Sequence, residues 1–100
     1  MEKIPQQEVI LIEKEELSSL LFSKLDVLED PVKRRLRHIY LQKAERLGNA
    51  YQGKVKMTFI TEDNKVMRVH TTIWSADAQY ITLKGGVHIP TIAVTEVEFS

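Results

Sequence analysis

Between residues 33 and 46 stand Lys33, Arg34, Arg35, Arg37, Lys43 and Arg46, opposed only by Glu45. Ammonium and guanidinium groups clustered in this way can line phosphates, each contact steepening the dependence on salt. The plainer reading is a solvated helix face that pairs with the acidic stretch before it. There Glu8, Glu13, Glu15, Glu16, Asp26, Glu29 and Asp30 stand against Lys14 and Lys24. The chain balances 14 basic against 14 acidic residues, so it lacks the overall positive potential of a nucleic-acid binder. Charge-complementary pairing of the two stretches is the better expectation.

A second patch would join Arg68, His70 and Trp74, which alternate on one side of a strand, with Tyr80 beyond the next turn. Aromatic and basic groups so placed can stack a base or grip a peptide. A Trp that merely covers one end of a core needs no ligand, and this is the plainer role. Arg34, Arg35, Arg37, Arg68, His70 and Trp74 therefore make up the candidate nucleic-acid or partner surface. The histidines His38, His70 and His88 show no ligand spacing. Zinc takes three or four ligands, so Asp63 or Asp77 would have to be recruited from loops, and no metal site is expected. Lys84-Gly85-Gly86 lacks the spacing and the following helix of a phosphate loop. No serine, histidine and carboxylate set stands in a recognisable context, and the absence of cysteine removes thiolate chemistry. Neither catalysis nor a cofactor is expected.

The elements that must position these residues divide one domain of 100 residues into a helical leader, residues 1–48, and a β module, residues 52–99. At 43% apolar residues a chain of this length can bury a core without disulfides. Met1 to Gln7, with Pro5, is expected to fray, and Val9 to Ile12 reads as an extended segment, with the apolar lead-in to a helix as the alternative. Leu17, Leu20, Leu21, Leu25 and Leu28 recur with Lys24 at helical spacing, which predicts a first helix from Glu13 to Leu28 or Glu29, its acidic start favoured by the macrodipole. Asp30-Pro31 reads as the N-cap and first position of a second helix. Its apolar stripe is Val32, Leu36, Ile39, Tyr40, Ala44 and Leu47, and Gly48-Asn49 supplies its stop.

Beyond Gly53 the period becomes two. Val55, Met57 and Phe59 alternate with Lys54, Lys56 and Thr58, and Thr61 to Lys65 reads as a hairpin turn. Met67, Val69, Thr71 and Ile73 then face one way, and Val66, Arg68, His70, Thr72 and Trp74 the other, in a run long enough to bend or to serve two sheet faces. Further strands are expected over Tyr80 to Leu83, Val87 to Ile89 and Ile92 to Phe99, set apart by Gly85-Gly86 and Pro90. The fold class is α+β: a two-helix leader followed by a small antiparallel β-barrel or strongly bent sheet, of the SH3-like or Sm-like outline. Closure would remove edge strands; an open sheet with both helices on its apolar face is the competing outline.

Thr71-Thr72-Ile73-Trp74, Tyr80-Ile81-Thr82-Leu83-Lys84-Gly85-Gly86 and Ile89-Pro90 resemble the closing module of small bacterial proteins of no known activity. The resemblance covers residues 50–99 and implies a β module after a variable helical leader. The Asp-containing and Gly-rich loops with which Sm-like proteins bind RNA have no counterpart here, so RNA binding does not transfer. The function expected is non-enzymatic protein–protein contact, with self-association into a dimer burying Leu17, Leu20, Leu21, Leu25 and Leu28, or with another protein on the leader. Nucleic-acid binding through residues 33–46 and the Trp74 strand face is the alternative. Val9 to Ile12 is too short for a signal-peptide core or a membrane span, so a soluble, cytoplasmic protein is expected and no membrane partner.

Overall fold

A computed structural model describes residues 8–99; the fraying expected of Met1 to Gln7 lies outside them. In chain order the elements are β1 (Val9–Ile12), a 3-10 turn (Lys14–Ser19), α1 (Pro31–Tyr51), β2 (Val55–Ile60), β3 (Val66–Thr71), β4 (Ile73–Ala76), β5 (Tyr80–Leu83), β6 (His88–Pro90), a second 3-10 turn (Thr91–Ala93) and β7 (Val94–Phe99). A four-stranded sheet runs β1-β3-β2-β7 and a three-stranded sheet runs β4-β5-β6. β1 lies parallel to β3, and the remaining pairings are antiparallel.

Alternation in β2 does what its period requires: Val55, Met57 and Phe59 are buried. Met67, Val69, Val94 and Val97 meet them from the larger sheet, Ile73, Ile81, Leu83 and Ile89 from the smaller one, and Leu41 and Ala44 from α1. Alternation fails at Thr72, assigned to the polar face yet only 2% exposed. The chain bends there from one sheet into the other. The Thr72 hydroxyl donates to the Gln52 carbonyl at 3.3 Å, and its own carbonyl accepts the Lys84 N–H at 2.9 Å. Ile73 still faces inward and Trp74 outward, but His70 and Trp74 now belong to different sheets.

Both parts of the expected architecture, the two-helix leader and the closed barrel, are corrected. Among the described residues the fold is α+β with one main helix and two sheets. After the 3-10 turn the leader runs on without helix, because its backbone finds partners outside itself. The Ser23 N–H donates to the Ile60 carbonyl at 3.1 Å, the Val27 N–H to the Ile92 carbonyl at 2.9 Å, and the Leu21 carbonyl accepts from the Glu62 N–H at 2.9 Å. A helix would have used those groups internally. Ser19 and Ser23 add local bonds to the carbonyls of Glu16 and Leu25, the kind of competition that weakens helices. Closure fails because the bend at Thr72 divides the long strand and β7 pairs with β2, which leaves β1 and β7 as the edges of the larger sheet.

The start of α1 is as expected: Pro31 occupies the first turn, and the Asp30 carboxylate accepts the Val32 N–H at 2.9 Å. Its end comes later. Gln52, at φ 56°, is the left-handed cap, and Gly48 lies buried inside the helix. A Cβ at Gly48 would overlap the Ile73 carbonyl oxygen, so this glycine permits close contact between α1 and β4 rather than ending the helix. The variant Gly48→Ala should lose about 1–3 kcal/mol to overpacking, despite a gain in helix propensity of about 1 kcal/mol. Urea unfolding followed by circular dichroism measures the difference.

Candidate interaction face

One guanidinium decides which way α1 faces. Arg37, its side chain 7% exposed, meets Asp26 of the leader in a fork: Nη1 donates to Oδ1 at 2.9 Å and Nη2 to Oδ2 at 2.8 Å. Nη1 also donates to the Val94 carbonyl of β7 at 3.0 Å. Bidentate pairing of this kind is short and directional. Arg34 supports it with Nε 3.3 Å from Asp26 Oδ2 and 2.6 Å from the Leu28 carbonyl. The Arg37 hydrogen bond holds the Asp26 carboxyl below the usual carboxylate range, helped by the Leu28 N–H and the charge of Arg34, against a smaller opposing effect of burial.

With Arg37, Leu41, Ala44 and Gly48 inside, α1 presents its other apolar stripe to water. Val32 is 63% exposed, Leu36 41% and Ile39 43%. This corrects the predicted stripe, of which Ala44 is buried and Leu47 partly so. Beside the exposed stripe, the Tyr40 ring meets Phe99 edge-on at 6.3 Å, and Lys43 Nζ lies 5.7 Å from the Phe99 ring centre. A shallow cavity of about 200 Å³ opens between α1 and β7, lined by Lys33, Leu36, Tyr40, Thr95, Glu96 and Val97 among others. Lys33, Arg35, Lys43 and Arg46 flank the stripe, all exposed, and none of the four makes an ion pair among the described residues.

The residues singled out from sequence do not gather in one place. Arg35 is exposed on the outer side of α1, whereas Arg34 and Arg37 turn toward Asp26. Arg68 is half-buried on β3, its Nε donating to Thr58 Oγ1 at 3.0 Å. His70 stands exposed on the same strand, opposite Lys56. Trp74 occupies the irregularity where the β4–β5 register shifts, on the other sheet. Tyr80 contacts His88 rather than Trp74, with ring centres 6.2 Å apart, and His88 Nδ1 lies 3.0 Å from Thr82 Oγ1. His38 is on α1, so the histidines occupy separate elements. Among the described residues no three His, Asp or Glu side chains come together as a metal would require.

The leader leucines likewise do not share a face. Leu17 is buried, Leu20 and Leu28 are half-buried, and Leu21 and Leu25 are exposed. Phe22, with its ring centre 5.4 Å from that of Phe59, is the leader side chain that reading for helical spacing passed over. The outer stripe of α1 left a signal in the sequence. Val32, Leu36 and Ile39, together with Leu41, Ala44 and Leu47, are too much apolar surface for one face of one helix. Among the described residues no helix is long and apolar enough to cross a membrane. Comparison with family models, with curated proteins and with solved structures returned no match to this chain.

The lowered Asp26 carboxyl stabilises the fold above the unfolded carboxyl value of about 4, and this contribution is lost as pH falls through the folded value. Urea midpoints should therefore be level near neutrality and drop on acidification. Asp26→Ala should cost stability near the lower end of the roughly 3–5 kcal/mol for breaking a buried pair, because Asp26 keeps 17% of its side-chain surface in water. Its acid dependence should be shallower than that of the parent chain.

Proposed function

We propose that this chain is a non-enzymatic interaction module that receives a protein partner on the outer face of α1. The observation that supports this is the apolar stripe Val32, Leu36 and Ile39, held outward by a helix whose opposite face is already seated in the core. Covering a Val, Leu or Ile side chain fully is worth about 1.5–3 kcal/mol, so even partial cover of this stripe by a complementary surface drives association. Nucleic-acid binding through the sequence-derived set draws less support. Arg34 and Arg37 are engaged with Asp26, and Arg68 and His70 stand on a different sheet from Trp74. A dimer through the leader draws less support as well, since Leu17 fills the chain's own core.

A photo-crosslinking amino acid placed at Ile39 in living cells should give discrete, protease-sensitive adducts. The same group at Lys56, on the far face of the larger sheet, should not. Leu36→Glu should abolish the adducts while leaving thermal unfolding within a few degrees of the parent. Nuclease-sensitive adducts, or equal labelling at both positions, would contradict the proposed role.

A further inference from the structure

Building on that role, we infer that the outer face of α1 seats one acidic amphipathic helix of another protein. Val32, Leu36, Ile39, Lys43 and Arg46 follow one another at spacings of four, three, four and three residues. This is the seam with which one helix meets another, knobs into holes. The seam is graded along its length: its first half is aliphatic and its second half basic. Lys33 and Arg35 flank the aliphatic half, Lys43 and Arg46 continue it, and all four are exposed without an ion-pair partner among the described residues. The helix holds one acidic residue, Glu45, half-buried away from the seam. Glu96, on the β7 wall of the adjoining cavity, is the one carboxylate lining that cavity. A partner that matches this face carries aliphatic residues opposite Val32, Leu36 and Ile39, and carboxylates opposite Lys43, Arg46 and Arg35. The cavity of about 200 Å³ beside Leu36 and Tyr40 accepts a large apolar side chain from it.

A second copy of this chain fits the face poorly. Pairing α1 with itself in either direction sets Lys33, Arg35, Lys43 and Arg46 against the same four residues, with no carboxylate on the seam to answer them, and like charges across a helix pair select against association. An added strand on β7 is also a poor occupant, because the Val94 carbonyl at the start of that edge is already taken by Arg37.

The test uses two helical peptides with the same Leu seam, one flanked by Glu and one by Lys, titrated onto the full chain and read by fluorescence anisotropy at low and high salt. The Glu peptide should bind at least tenfold more tightly than the Lys peptide, weaken as salt rises, and be lost with Leu36→Glu. The quadruple variant Lys33→Glu, Arg35→Glu, Lys43→Glu, Arg46→Glu, confirmed as folded by its melting curve, should reverse the preference. Equal binding of both peptides would overturn the inference. So would a stable dimer in light scattering that excludes the peptide, or binding of phosphatidylglycerol vesicles or a DNA duplex in place of the Glu peptide. If neither peptide binds while crosslinking at Ile39 still yields protein adducts, the interaction role stands and the acidic helix falls. If the crosslinks fail too, both fall.

Discussion

The ion pair between Arg37 and Asp26, with the bond from Arg37 to the Val94 carbonyl, ties together the leader, α1 and the start of β7. A buried guanidinium without a counter-charge would cost several kcal/mol. The fork on Asp26 and the bond to the Val94 carbonyl are therefore what allow Arg37 to sit inside. Once it does, the rotation of α1 is settled. Leu41 and Ala44 follow it into the core, and Gly48 brings the far end of the helix against the Ile73 carbonyl. Val32, Leu36 and Ile39 have nowhere to go but out. The exposed seam and the buried arginine are two consequences of one helix orientation.

The leader gains its place by the same economy. It does not fold on itself; it borrows hydrogen bonds from the β2 end, from the turn after it and from the segment before β7. Leu17 and Phe22 are seated through those bonds, and Asp26 is delivered to Arg37. Backbone pairing, apolar burial and the ion pair thus support one another along a stretch with little regular structure. Loss of Asp26 should be felt at the helix and at β7 as well as locally.

What could be read from sequence was strongest where local physics acts alone. Asp30-Pro31 starts a helix because cap and ring preference need no tertiary partner. The inward set of β2, Val55, Met57 and Phe59, is as its period predicts because that face is wholly buried, although Thr58 between them is buried too. Reading failed where distant groups decide. Leucines at helical spacing in the leader gave way to hydrogen bonds offered by β2 and by Ile92. Thr72 went inside because the strand bends there. Pairing between the acidic and basic stretches was legible, and Arg34 and Arg37 do meet Asp26. What no local signal marked was that Arg37 would be the one buried and so fix the rotation of the helix. The candidate surface therefore includes Arg37, whose side chain lies in the core, beside Arg35, which stands exposed.

Because the chain contains no cysteine, the orientation of α1 can be measured one residue at a time. Single variants Ile39→Cys and Ala44→Cys, each shown to melt like the parent, are exposed to a thiol reagent at neutral pH and their labelling rates compared with those in denaturant. Position 39 should react nearly as fast folded as unfolded. Position 44 should be slowed by orders of magnitude, its reaction waiting on opening of the structure. Protection at 39 together with free reaction at 44 would mean that α1 faces the other way, and both the buried Arg37 and the docking seam would go with it.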